Sequence, residues 1–320
     1  MAELSRRSKA LVERGYSLDE VIALTSFTEE ELDYASMVAF SRISEGAYRV
    51  DSPDAVFVGG QPGSGKSSEV MRLKASIGNA VEVNIDNYRS YHPKFIEIEK
   101  CIKKHWEGRA TSENDTPGND IADFTHQFVS DISDRLILMA REKDVTGKSY
   151  NMIVEWGMNN AKVPLETMKT LKDEGYKVTV KYVCVHKDIS LEACSIRANI
   201  ILDGNHIIRN IPRSFHEMYV ETLHSGIENI YNEGYKNGLI DEMYLVLRNG
   251  KIVWDHTKEE DPAEVFDRYL HDPELTIEFK NSREMAKTNT EKEIDILDYK
   301  KALDNFNAWR YEVDNKRLER

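Results

Sequence analysis

Only three cysteines occur among the 320 residues, Cys101, Cys184 and Cys194. They show no metal-ligand spacing, and so few thiols exclude a disulfide framework. They read as small buried or half-buried residues of a chain kept in a reducing compartment. No apolar run approaches the roughly 18 residues that a membrane span needs. The opening stretch MAELSRRSKALVERG has no apolar segment of the secretory-leader kind, so a cytoplasmic location is expected. Positive charge is also short. Lys and Arg number 43 against 56 Asp and Glu, a net charge of −13. That balance argues against long nucleic acid as the main partner, because phosphate contacts need clustered basic residues; a local basic groove stays open. Internal repeats and low-complexity segments are absent.

What is present is ordinary for a soluble globular chain, 40% apolar and 31% charged. The length allows one large domain with additions, or two domains. The most informative stretch is AVFVGGQPGSGKSS over residues 55–68. A short apolar run enters a glycine-rich turn, and Gly60-x-x-x-x-Gly65-Lys66-Ser67 fits the phosphate-binding P-loop without mismatch. Its glycines let backbone N–H groups converge on phosphate oxygens, and EVMRLKASI after it looks helical. Gly60, Gln61, Pro62, Gly63, Ser64, Gly65, Lys66, Ser67 and Ser68 are therefore the expected ATP-binding residues. Lys66 would reach the outer phosphates, and the Ser67 hydroxyl would ligate Mg²⁺.

Residues 1–52 look helical, with capping boxes at Ser17-x-x-Glu20 and Thr28-x-x-Glu31. Residues 53–256 alternate strand and helix signals. Strands are expected at 55–59, 81–85, 151–155, 178–185 and 243–247, with helices at 118–142 and 164–174. This pattern predicts an α/β fold with a mainly parallel sheet covered by helices on both faces. Asn249-Gly250 between 243–248 and 251–254 predicts a terminal hairpin. Residues 257–320 turn polar and then helical. Ile296, Tyr299, Leu303, Phe306 and Val313 form a helix stripe whose default role is packing on the chain's own core.

Three further clusters carry chemistry. Asp86 follows the strand VEVNI directly, and ligands of open α/β sheets sit at the C-terminal ends of strands. It could take the proton of an attacking hydroxyl, hold Mg²⁺ through water, or cap the next turn. Glu155 ends the apolar strand NMIVE, where a carboxylate is costly unless solvated or paired at a site. It suits a substrate hydroxyl or the waters of a metal; a surface carboxylate is the plainer reading. Arg197 and Arg209 lie in or before predicted helices. A transferring phosphoryl group needs such cations, yet a lone arginine is usually a solvated one.

These residues together resemble the zeta toxins, the toxin halves of epsilon/zeta toxin–antitoxin systems. The P-loop GGQPGSGKS, the segment from Asp86 through an aromatic to His92-Pro93, Glu155 followed by Val163-Pro164, Arg197, and Arg209-x-x-Pro212-x-x-x-His216 occur in that family's order and approximate spacing. The likeness covers roughly residues 54–256. It implies a P-loop kinase fold and ATP-dependent phosphorylation of UDP-N-acetylglucosamine or a related UDP-sugar on the 3′-hydroxyl of the amino sugar. It also implies Lys66, Asp86, Arg197 and Arg209 as catalytic residues, with Asp86 the general base. Arg89, His92, Glu155 and Asn159 join Asp86 as expected substrate contacts, and a small helical antitoxin is the implied partner. The first 50 residues could instead block the site in cis.

Two features depart from the family pattern. Family members usually read Gly-Thr-x-Arg after the strand-end glutamate, where this chain has Trp156-Gly157-Met158-Asn159. Lys162 is a nearby cation that could compensate. The acidic residue expected on the preceding helix is out of register by one, with Asp131 in its vicinity. Both departures fall on the sugar side. They leave room for another hydroxyl acceptor such as a nucleotide, NAD or a polynucleotide 5′ end; Asp86-Asn-Tyr-Arg89 resembles the Asp-x-x-Arg of polynucleotide kinases. A nucleotide-binding module without catalysis is the non-enzymatic alternative.

Overall fold

A computed structural model describes residues 4–110, 116–199 and 211–272. Arg209 and the helical stripe at 296–313 lie outside the described residues. Three helices open the chain: α1 (Arg6–Glu13), α2 (Leu18–Thr25) and α3 (Glu29–Ile43). Both expected capping boxes form. Ser17 with Glu20 and Thr28 with Glu31 exchange side-chain and backbone hydrogen bonds at the starts of α2 and α3. Strand β1 (Asp54–Gly59) then leads through the glycine-rich turn into α4 (Lys66–Ile77). After β2 (Val81–Asn84) the chain winds into a 3-10 helix, Ile85–Tyr91, one residue earlier than the expected strand end. Next come α5 (Phe95–Trp106), α6 (Pro117–Arg141), β3 (Met152–Glu155), α7 (Lys162–Asp173), β4 (Lys177–Cys184), α8 (Lys187–Asn199) and α9 (Arg213–Asn229). The predicted terminal hairpin follows as β5 (Glu242–Leu247) and β6 (Ile252–Asp255), before α10 (Pro262–His271).

The sheet runs β2-β3-β1-β4-β5-β6. Its first five strands are parallel and β6 is antiparallel. Side chains alternate across each strand, so both faces need cover. Ala55 and Phe57 of β1 join the large core on one face, while Val56 and Val58 meet Val70 and Leu73 of α4 on the other. This is why the strands read as unbroken apolar runs. Helix α10, beyond the expected boundary at 256, packs on α9 and β4 and buries Val265, Phe266 and Leu270.

The N-terminal helices form a second small core. Leu11, Tyr16 and Val21 pack against Phe95, Ile98 and Ile102 of α5 and against Ile121 and Phe124 of α6. Polar groups bolt the same contact. Fully buried Asp120 receives Arg14 at 2.8 Å, the Tyr16 hydroxyl at 2.6 Å and the Trp106 indole at 2.6 Å. Asp123 pairs with Arg7 at 2.6 Å and with Arg14 at 2.5 Å. No helix among the described residues is long and apolar enough to cross a membrane.

Candidate active site

The turn after β1 is shaped for a phosphate. Gly63 has φ 76° and Gly65 has φ 98°, a left-handed backbone that side chains rarely adopt. A Cβ on Gly63 would also lie 2.1 Å from the Ser190 carbonyl oxygen, so the turn sits directly on the start of α8. Gln61 secures it from below, its buried side chain donating to the Val185 carbonyl at 2.7 Å. Gln61 and Ser64 are fully buried and Ser68 turns its N–H to the Gly65 carbonyl at 3.0 Å. The open face of the turn is formed by Pro62, Gly63, Gly65, Lys66 and Ser67, which line a cleft of about 1200 Å³. Lys66 lies back over its own loop, donating to the carbonyls of Gly60 at 3.0 Å and Gln61 at 3.2 Å. Those carbonyls hold the ammonium where outer phosphates would meet it.

Asp86 and Glu155 line the same cleft. Their placement follows from topology: β2 and β3 are neighbours, and Asn84 is in register with Glu155. Glu155 Oε2 accepts from the Asn84 amide at 3.0 Å and from the Ser67 hydroxyl at 3.3 Å. Burial pushes the Glu155 carboxyl above its ordinary range; Lys66 opposes this, and Asp86 and Glu82 add to it. Asp86 does not cap the 3-10 helix. Asn84 does, its side chain accepting the Asp86 N–H at 3.0 Å. That leaves the Asp86 carboxylate, 46% exposed, at the cleft surface. Arg89 holds it at 2.7 Å and is itself anchored on α6 by the Thr125 hydroxyl at 2.8 Å and the Ala122 carbonyl at 3.2 Å.

Two expected substrate contacts do not line the cleft. His92 is fully buried; Nδ1 accepts the Lys94 N–H at 3.1 Å, and the ring packs edge-on to Phe128 at 4.9 Å. Burial lowers its pKa to about 3, which keeps the imidazole neutral. Asn159 instead bonds the Thr222 hydroxyl on α9 at 3.0 Å, tying the loop after β3 to that helix. Arg89 does line the cleft, but its guanidinium serves Asp86 and α6. Arg197 lies on α8. The sequence reading missed Asn84, although a polar residue near the end of an apolar strand marked it. It singled out Trp156 but missed the rest of the aromatic wall. Trp156 lines the cleft against Phe57 with ring centres 5.8 Å apart, joined by Phe215 and Tyr219 from α9. Tyr219 sits so close to the loop that a Cβ on Gly157 would fall 1.5 Å from its hydroxyl.

The zeta toxin family model matches residues 41–260. Toxin zeta of Streptococcus agalactiae is 25% identical over 256 residues, covering 78% of this chain and 79% of the relative. Toxin zeta of Enterococcus hirae is 26% identical over 235 residues, covering 71% and 72%. Among solved structures, that of the PezAT chromosomal toxin–antitoxin system of Streptococcus pneumoniae superposes with a TM-score of 0.64 at 18% identity, covering 84% of this chain and all of that one. At that identity the superposition establishes the P-loop kinase-like fold. The family match spans well over half of the chain, and on that ground the chain belongs to the zeta toxin family.

Proposed function

We propose that the protein is an ATP-dependent kinase of zeta-toxin type, acting on the 3′-hydroxyl of the amino sugar of UDP-N-acetylglucosamine or a related UDP-sugar, and the toxin of a toxin–antitoxin pair. One observation carries the reading. A complete phosphate loop and two strand-end carboxylates, Asp86 and Glu155, open onto a single cleft. The N-terminus of α4 and Lys66 would hold the outer phosphates. Asp86, half exposed and fixed by Arg89, would accept the proton of the acceptor hydroxyl as its oxygen attacks the γ-phosphorus and ADP departs. Glu155 would orient the acceptor. On the family pattern, Arg197 and Arg209 would neutralise the transferring group.

The oxygen donors of the site suit a hard cation. Ser67 would bind Mg²⁺ directly, with Glu155, 3.3 Å from the Ser67 hydroxyl, receiving a metal-bound water. Among the described residues no group of three or more acidic, His or Cys side chains could hold a metal. Mg²⁺ bound there would spread the negative charge of the phosphates.

A second acceptor class is favoured by one feature. Where the family pattern has arginine, Asn159 turns to Thr222, and Trp156 enters the cleft wall. The wall would stack the uracil of a UDP-sugar equally well, so it is the missing arginine on the sugar side that favours a nucleotide or NAD as acceptor. ATP turnover should therefore be measured against UDP-N-acetylglucosamine, UDP-N-acetylmuramic acid, NAD, nucleosides and an oligonucleotide, with Lys66→Ala as control. ADP release that needs a UDP-sugar and vanishes in the control supports the first reading. Turnover with another acceptor alone supports the second. Nucleotide binding with no acceptor-dependent turnover rejects both and leaves a binding module.

An antitoxin acting in trans is the proposed partner, supported by likeness to a protein of a toxin–antitoxin system. For a block in cis by the first 50 residues the support is divided: α1 and α2 pack on α5 and α6 and line no part of the cleft, whereas Arg42 and Ile43 of α3 and Glu45, Gly46 and Ala47 after it do line it.

A further inference from the structure

Arg248, the last residue before the Asn249-Gly250 turn of the hairpin, reaches back across the sheet end to the phosphate loop. Its Nε donates to the Ser64 carbonyl at 3.0 Å, and one terminal nitrogen donates to the Gly63 carbonyl. The side chain lies against Gly65, where a Cβ would come within 3.0 Å of the Arg248 Cγ. Arg248 is in turn held by its own backbone. Its carbonyl accepts from Arg72 at 2.7 Å, and Arg72 pairs with Glu69 at 2.9 Å. Glu69 is almost fully buried and also receives Lys181 of β4 at 2.9 Å. Arg248 does not line the cleft.

A trans peptide points its C=O and its N–H in opposite directions. A fork that fixes the Ser64 carbonyl on the outer side of the loop therefore aims the Gly65 N–H inward, toward the phosphate position. Arginine suits this task because its planar donors can hold two carbonyls in a fixed relation.

We propose that Arg248 is a positioning residue for the phosphate loop: it clamps the Gly63 and Ser64 carbonyls so that the Gly65 N–H stands ready for a nucleoside diphosphate. The hairpin thereby becomes a working part of the nucleotide site. The inference rests on the cleft's being a nucleotide site.

The test is direct binding of Mg·ADP and of inorganic pyrophosphate to the full chain by calorimetry, for wild type, Arg248→Met and Arg248→Lys, with melting temperatures recorded alongside. Arg248→Met should weaken both ligands about tenfold, as expected for losing oriented charge-assisted hydrogen bonds. Arg248→Lys should keep the melting temperature near wild type yet recover little of the affinity, because an ammonium cannot reproduce the fork. Affinity in Arg248→Met within twofold of wild type overturns the proposal, and so does a lower melting temperature with unchanged affinity. Full recovery in Arg248→Lys also overturns it, since charge alone would then suffice. If wild type binds neither ligand, the nucleotide-site reading falls as well; if only the variants behave like wild type, the clamp alone falls.

Discussion

Arg89 grips Asp86 at 2.7 Å across one turn of the 3-10 helix while its other terminal nitrogen is held by Thr125 of α6. The proposed base is thus located by a helix that contributes little else to the cleft. Replacing the arginine should move the carboxylate without removing it. Arg89→Gln should lower kcat roughly tenfold or more while leaving KM for ATP near wild type, because orientation rather than nucleotide binding is lost. Asp86→Asn should abolish turnover and leave the fold intact. Steady-state kinetics with circular dichroism would check both; equal activity in Arg89→Gln would remove its positioning role.

Glu155 stores unfavourable charge. Its folded pKa is raised from 4.5 by burial, so the folded chain binds the proton more tightly than the unfolded one. Stability then declines as pH rises from about 4.5 through the raised folded value. Glu155→Gln should melt higher than wild type at pH 7 and match it at pH 4, while losing activity. Calorimetry at the two pH values reads the difference.

His92 works in the other direction. Its folded pKa is depressed from 6.5 to about 3 by burial. The stability it contributes is complete above pH 6.5 and is lost as pH falls toward 3. The slope should reach up to about 1.4 kcal/mol per pH unit. Urea titrations of His92→Gln between pH 4 and 7 should show a flatter acid limb than wild type.

On the proposed reading, Trp156 of the cleft wall serves the acceptor rather than the phosphate loop. Trp156→Ala should raise the acceptor KM about tenfold and leave KM for ATP unchanged, in keeping with the loss of ring stacking. A parallel rise in both constants would mean that the wall serves nucleotide binding instead.

Asp120→Ala should cost about 3 kcal/mol, because it leaves the Tyr16 hydroxyl and the Trp106 indole without their acceptor in a buried contact and takes from Arg14 one of its two carboxylate partners. Removing residues 1–16 should likewise lower the melting temperature without raising ATP affinity. A gain in nucleotide affinity on deletion would revive a blocking role for that segment.

The phosphate loop and the alternation of strands and helices along the chain were legible because both rest on local pattern: apolar runs of strand length, a glycine-rich turn, a helical stretch after it. Both capping boxes were legible for the same reason, being four-residue signatures. Asp86 and Glu155 could be marked as strand-end carboxylates, but their meeting through Asn84 depends on β2 lying beside β3, a pairing no local signal encodes. The burial of His92 was not legible, because it is decided by Phe27 and Phe128, distant in sequence. Arg248 was invisible for a similar reason. Its partners Gly63 and Ser64 lie at the other end of the kinase body in sequence.

The sheet order has a consequence for how the chain is made. Among the described residues, β1 pairs with β3 and β4 alone, and β2 with β3 alone. On a ribosome, the first two strands emerge with no native neighbour and wait until residues 152–155 are synthesised. Such distant pairings form late. Ser67 and Glu155 cannot meet before then, so a growing or prematurely ended chain carries the phosphate loop but not the assembled centre.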